Sequence, residues 1–329
     1  MSPQFVDFDA DGHLDLLAGS FGGAPYIARG NAKGFGQPEY LRDSKGERLG
    51  LNMYWDHDES HWLWVKQWNA PGQEPPEGQG TSVFAVDWDA DGDLYVLLGD
   101  FKTGRIFRRT NEGSAKEPRL TTFNVPIRNG DKPLVVPGNV ATVRALHWDS
   151  DGLFDLLVGS VGESDDGAVY LYRNVGKTGA PDFGAPLVLF APAAAPLTAV
   201  SRPSHGLYPD LFDLDGDGDL DLLVGGSTNL NLPERELSAA EKEQYLLLKT
   251  RRDAAKEASA ALRAEIDAAV KDLPEEEAKL RRKALERELA PRFRDCSRRR
   301  AMAEFGLATL TFEPKEYHAV FVALNETRR

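Results

Sequence analysis

Asp213-Leu214-Asp215-Gly216-Asp217-Gly218-Asp219-Leu220-Asp221 runs directly into the apolar stretch Leu222-Leu223-Val224-Gly225. The same arrangement stands at three earlier places: from Asp7 to Asp15, from Asp87 to Tyr95 and from His147 to Asp155, each leading into a short apolar run that ends in glycine. A loop and strand repeated along a chain mean a repeated structural unit. Carboxylates two residues apart in an extended turn converge on one point, and a hard divalent cation such as calcium takes six to eight oxygens there. The pattern offers side chains at loop positions one, three, five and nine, and a backbone carbonyl at seven. Glycine at position six tolerates the positive φ of a sharp turn. Without an ion, the clustered carboxylates repel one another.

An EF-hand shares the opening but needs a bidentate Glu at position twelve and a helix after it. Position twelve here is Ala18 in the first loop and Val224 in the fourth, and the apolar run that surrounds it reads as buried strand. These are therefore calcium loops between strands. The four sets are unequal. Loop four is complete, with Asp213, Asp215, Asp217, Asp221 and the Asp219 carbonyl; loop one is complete, with Asp7, Asp9, Asp11, Asp15 and the His13 carbonyl. Loop two has Asp87, Asp89, Asp91 and the Asp93 carbonyl, but Tyr95 at position nine. Loop three has Asp149, Asp151, Asp155 and the Leu153 carbonyl, but opens on His147, a poor calcium ligand. The expectation is tight Ca2+ sites in loops one and four, and weak or empty ones in two and three.

The loop, its Leu-Leu-Val-Gly run and a following strand such as Val169–Asn174 resemble the FG-GAP or VCBS repeat of calcium-binding β-propellers. Arg105–Phe107 and the downstream Phe183 fit the same pattern, and the resemblance covers most of residues 4–230. It implies a propeller fold with calcium loops. It does not imply one function, because the family includes adhesins, lectin-like proteins and lyase-associated propellers.

The net charge of -13 argues against nucleic acid or an anionic membrane as partner, since both call for a basic patch. Cys296 is the single cysteine, so no intrachain disulfide forms. No apolar run approaches the ~20 residues that span a bilayer. Residues 1–10 lack the basic start and apolar core of a signal peptide. Calcium loops nevertheless suit an extracellular or periplasmic location, so the expectation is an upstream leader that this chain lacks.

The loops begin at residues 7, 87, 147 and 213, and the first gap is the longest. It holds the Trp-rich Leu51–Trp68, either an insertion or a degenerate blade, and a Pro/Gly/Glu-rich loop from Ala70 to Gly80. The expectation is an all-β propeller of four or five blades over residues 1–233. Residues 234–305 differ: they are rich in Ala, Glu, Lys, Arg and Leu, with 18 Lys+Arg against 16 Asp+Glu between Glu234 and Glu304, while the rest of the chain has 21 against 36. Ser238 and Glu241 make a capping box. Leu248, Ala255, Leu262, Ile266 and Leu273 form one apolar stripe with coiled-coil spacings, and Leu280, Leu285, Leu289 and Phe293 a second. Pro274 starts a second helix, Pro291 kinks or restarts it, and Gly306 ends it. This is an antiparallel helical hairpin inserted in the last blade. Residues 306–329 then supply closing strands at Ala308–Phe312 and Tyr317–Leu324, which pair with the last blade or with the first.

Outside the loops, His57 and His61 with Asp58 are a candidate transition-metal set, yet their spacing needs a helix where the tryptophan pattern reads as strand. Trp55, Trp62 and Trp64 offer ring faces for stacking on a glycan. Arg144, Arg202, His205 and Tyr208 are candidates for a propeller funnel. No nucleophile elbow, phosphate loop, zincin or dinucleotide motif is present. The function expected is a non-enzymatic, calcium-stabilised interaction scaffold, with the hairpin as docking or self-association arm. A lectin-like propeller and a polysaccharide-active enzyme are the alternatives.

Overall fold

The computed structural model of the chain describes residues 3–57, 61–65, 68–70, 72, 77–149, 151–162, 166–193, 197–230, 236–311 and 316–324. They fall into two compact units: Met1–Asn231 with Glu316–Arg329, and Leu232–Lys315.

The first unit is a series of small antiparallel sheets. The first sheet runs Pro3–Val6, Asp15–Ala18, Tyr26–Ala28, Glu39–Tyr40. The second runs Gly80–Val86, Tyr95–Asp100, Ile106–Arg109, Phe123–Pro126, with Trp68–Asn69 added parallel at its edge. The third runs Val140–Leu146, Asp155–Ser160, Val169–Tyr172, Leu187–Phe190. The fourth runs His205–Phe212, Asp221–Asn229, Glu316–Ala323. In every sheet the Asp-rich loop joins the first strand to the second, so all four loops have the same place in the repeat. No strand pairing among the described residues joins one of these four sheets to the next, so they form no barrel.

Consecutive sheets are held together by apolar cores between them. Phe8, Leu17, Val83, Val96 and Phe107 fill the space between sheets one and two. Val86, Leu97, Val143, Leu156 and Tyr172 fill that between two and three, and Leu157, Val169, Leu207 and Val224 that between three and four. This explains the unbroken apolar runs after the loops: Tyr95–Asp100 and Asp155–Ser160 are buried at every residue, between neighbours on both faces. It also explains the glycine that ends the run. A Cβ on Gly99 would lie 2.5 Å from Val140 Cγ1, and one on Gly159 would lie 2.1 Å from the Leu207 carbonyl oxygen. The first strand of the next sheet crosses at that point.

Among the described residues the Trp-rich segment makes no four-stranded sheet of its own. Met53–Asp56 pairs with His61–Trp64 as a two-stranded ribbon, as the alternation around His61 predicts, and Trp68–Asn69 joins the second sheet. Asp58, Glu59 and Ser60 lie outside the described residues, as do residues 71 and 73–76 of the following loop.

The second unit holds helices α1 (Ala239–Val270) and α2 (Glu275–Thr311). The capping box forms: Ser238 Oγ accepts from Glu241 N–H at 3.4 Å, and the Glu241 carboxylate accepts from Ser238 N–H at 2.9 Å. Leu262, Ile266, Leu285, Leu289 and Cys296 make a shared core, and Arg282 reaches back to Asp267 at 2.7 Å, so the helices are antiparallel. Four expectations are corrected here. Leu280 is 71% exposed and is not part of the buried stripe. The helix continues through Pro291 without a restart. It also continues through Gly306, so Ala308–Thr311 is helix rather than strand. Gly306 is there for packing: a Cβ would lie 2.9 Å from Leu248 Cδ1 on α1. Among the described residues one closing strand remains, and Glu316–Ala323 pairs along its whole length with Asp221–Asn229 rather than with the first sheet. Among the described residues, no helix is long and apolar enough to cross a membrane.

Candidate metal centre

The loops are built by their own carboxylates. In loop one the Asp7 carboxylate accepts Asp11 N–H at 3.1 Å and Gly12 N–H at 3.0 Å; in loop two Asp87 does the same for Asp91 and Gly92, at 3.2 and 3.1 Å. Asp213 in loop four accepts Gly216 and Gly218 N–H at 2.7 and 3.1 Å. Position six is left-handed in all four loops, at Gly12, Gly92, Gly152 and Gly218. Position four is left-handed in three of them, which the residue types alone do not announce: Ala10 (φ 50) and Ala90 (φ 60) adopt it against their Cβ, whereas Gly216 does so freely.

Three loops bring carboxylate oxygens together. Asp7, Asp9 and Asp11 form one group, Asp87, Asp89 and Asp91 a second, and Asp213, Asp215 and Asp221 a third, each with its oxygens within 4.8 Å of one another. Asp217 is outside the third group and accepts Asp219 N–H at 3.1 Å. Loop three forms no such group among the described residues. Its His147 Nδ1 lies 2.9 Å from the Leu153 carbonyl oxygen, the same carbonyl expected to face an ion, and the ring stacks on Phe154.

Position nine has a structural task. Asp15, Asp155 and Asp221 accept the N–H of position two of their own loops, at Phe8 (3.2 Å), Trp148 (3.0 Å) and Leu214 (2.8 Å). Asp15 and Asp155 also accept Gly30 N–H and Asn174 N–H, each at 2.7 Å, which ties the loop to the end of the third strand. In loop two the Tyr95 hydroxyl instead donates to Asp89 Oδ2 at 3.0 Å. Burial, and then this bond, push the Tyr95 phenol up to about 12, so it stays a donor at neutral pH.

Two arginines that are no part of the loop motif enter the loops from the third strand. Arg29 Nη1 lies 3.0 Å from both Asp9 Oδ2 and Asp15 Oδ2, and Arg173 pairs with Asp149. They occupy equivalent places, next after Ala28 and Tyr172, which pair with Leu16 and Leu156. The same register puts Thr110 beside loop two and Leu324 beside loop four. An internal cation thus serves loops one and three, and neither Thr110 nor Leu324 can supply one.

The donor set fits a hard cation. Asp9 Oδ1, Asp89 Oδ1 and Asp93 Oδ1 are buried without a hydrogen-bond partner. Burial raises the Asp93 carboxyl above its usual range, and Asp91, Asp89 and Asp87 raise it further. Burial likewise raises Asp9; Arg29 opposes this, while Asp15, Asp11 and Asp7 add to it. Oxygen-only groups of this kind suit calcium or magnesium rather than softer metals.

The other candidates fall elsewhere. Trp55 and Trp62 are cross-strand partners with rings 5.6 Å apart, and Trp62 and Trp64 are 42% and 68% exposed on one face of the ribbon. No metal group among the described residues includes His57 or His61. Arg144 donates to the Pro3 carbonyl at 3.2 Å and lies over the Phe84 ring, while Arg202 lies 3.7 Å over Phe190. Both arginines are engaged in packing. His205 and Tyr208 line a cavity away from the loops.

Residues 147–224, which carry loops three and four, match the FG-GAP-like repeat family. No curated protein matches the chain.

Proposed function

We propose that this chain, which carries an FG-GAP-like repeat, is a non-enzymatic, exported interaction scaffold: a calcium-stiffened β-propeller with the helical pair as its docking or self-association arm. The observation that carries the reading is the convergence of carboxylates in three loops at equivalent places in the repeat, with buried oxygens in loops one and two that lack a donor. The propeller reading is supported by four sheets in chain order, each packed on the next through its own apolar core. Calcium at such loops requires a calcium-rich compartment, which is the support for export.

Loop four is the strongest site under this reading, because the buried Asp221 joins its group. Loop one is held back by Arg29. Arg29→Gln is therefore expected to raise calcium affinity at loop one about tenfold, worth about 1.4 kcal/mol. Calorimetric titration of the variant reads this directly, and an unchanged isotherm would show that Arg29 does not compete with the ion.

The arm is supported by an exposed apolar cluster. Leu246, Leu247, Met302 and Phe305 are all at least half exposed, at the end of the pair where Gly306 meets Leu248. A second reading, glycan binding, is favoured by the exposed Trp62 and Trp64. One experiment separates them: self-association and retention on immobilised glycans are measured for the Leu247→Asp/Phe305→Asp double variant and for Trp64→Ala. Loss of association in the first variant alone supports the arm. Loss of glycan retention in the second alone supports the lectin, and a wild-type chain that neither associates nor binds glycan removes both.

A further inference from the structure

The β unit contains a cavity of 590 Å³ that is separate from the Asp-rich loops. Phe21, Phe101 and Val161, which each follow the second strand of their sheet, form part of its wall together with Ala141 of the third sheet, and the fourth sheet forms the rest. Phe21 and Phe101 meet edge to face at 6.1 Å. Three polar side chains stand in one row on the fourth sheet: His205 pairs in register with Ser227, and Ser227 with His318. Directly opposed residues share a sheet face, and all three line the cavity. Ser227 Oγ lies 2.9 Å from His318 Nδ1.

Tyr208 reaches the same wall through a backbone device. Side chains three apart on a regular strand point to opposite faces. A one-residue bulge between His205 and Tyr208, with Gly206 at φ 57, restores them to one face. Gly225, on the same face as Ser227, leaves the wall beside it open.

The chemistry of the lining selects its ligand. No Asp, Glu, Lys or Arg lines the cavity among the described residues. An ammonium ion would lose its hydration there with no carboxylate among the described lining residues, and a carboxylate or phosphate would find no Lys or Arg among them. Aromatic and aliphatic walls accept a ring, and the imidazole–hydroxyl row accepts one hydroxyl group. The volume lies within the range of small-molecule sites. We propose that this cavity binds a small uncharged aromatic alcohol of the phenol class, its ring against Phe21, Phe101 and Val320 and its hydroxyl in the His205–Ser227–His318 row. The site stands whether or not the loops hold calcium.

The test is calorimetry on the full chain with p-cresol, toluene and benzoate. p-Cresol is expected to bind at least tenfold more tightly than either of the others. His318→Phe keeps the ring volume and removes the hydrogen bond, so p-cresol affinity falls about tenfold while toluene affinity is kept. Phe21→Ala, at an exposed position, weakens p-cresol and toluene together and serves if His318→Phe lowers the melting temperature. No p-cresol binding at millimolar concentration, benzoate binding more tightly than p-cresol, or unchanged p-cresol affinity in a folded His318→Phe or Phe21→Ala variant would each overturn the proposal.

Discussion

Stripping calcium with a chelator is expected to lower the melting temperature of the β unit by about 10–20 °C. An ion that binds only the folded chain adds about 2.7 kcal/mol per site at a hundredfold excess over Kd, so two sites add about 5 kcal/mol. In a unit of this size each kcal/mol moves the midpoint by roughly 2–4 °C. Magnesium should rescue less, because it demands near-octahedral geometry and gives up its waters reluctantly. Asp215→Asn isolates loop four: it removes one charge from the group and keeps an oxygen for the Asp217 N–H, which Asp215 Oδ1 accepts at 3.2 Å. That variant should bind one ion fewer and lose about half of the calcium-dependent shift. A melt indifferent to chelator, with no ion in native mass spectrometry, would leave the loops as hydrogen-bonded Asx turns and would withdraw the inference of export.

The repeat is legible in the sequence because one local rule generates it. Four copies of an Asp-rich turn and an apolar run determine the first two strands of every sheet, and the change to Ala, Glu, Lys and Arg after residue 234 marks the helices. What is not legible depends on distance along the chain. Arg29 lies 20 residues from Asp9 and Arg173 lies 24 from Asp149, so only the third strand's register brings them into the loops. Thr110 and Leu324 fill the equivalent places, and no loop motif encodes that difference. Gly306 is hidden for the same reason. A glycine near the end of an apolar stripe usually terminates a helix, but Leu248, 58 positions away, requires it for close approach. The one clue is the length of good helix formers on both sides of it.

Arg109 is the other place where a single substitution should have a large effect. Its side chain is fully buried, and each guanidinium nitrogen has a partner: Asn124 Oδ1 at 2.7 Å, the Thr121 carbonyl at 2.7 Å and the Gly50 carbonyl at 3.1 Å. Burial lowers its pKa to about 10, with Asp43 pulling the other way, so it is still charged at neutral pH. One cation thus joins the third and fourth strands of the second sheet to the chain that enters the Trp-rich ribbon. Replacing a complete buried ion pair by apolar groups is often harmless, but here two of the three acceptors are backbone carbonyls that no side-chain change removes. Arg109→Met would leave the Thr121 carbonyl without its guanidinium donor and the Gly50 carbonyl with only the long 3.5 Å bond from Asn124 Nδ2, at a cost of about 3–5 kcal/mol. The midpoint should fall by roughly 10 °C or more. Arg108 is the internal control: it is only partly buried and lies over the Tyr95 ring, so Arg108→Met should cost under about 1 kcal/mol. Release of the Gly50 carbonyl should also loosen the ribbon before the sheets unfold, seen as earlier proteolysis within residues 51–80 and a red-shifted tryptophan emission. Equal melting of the two variants would mean that water reaches Gly50 and Thr121, and that the second sheet is held by its apolar core alone.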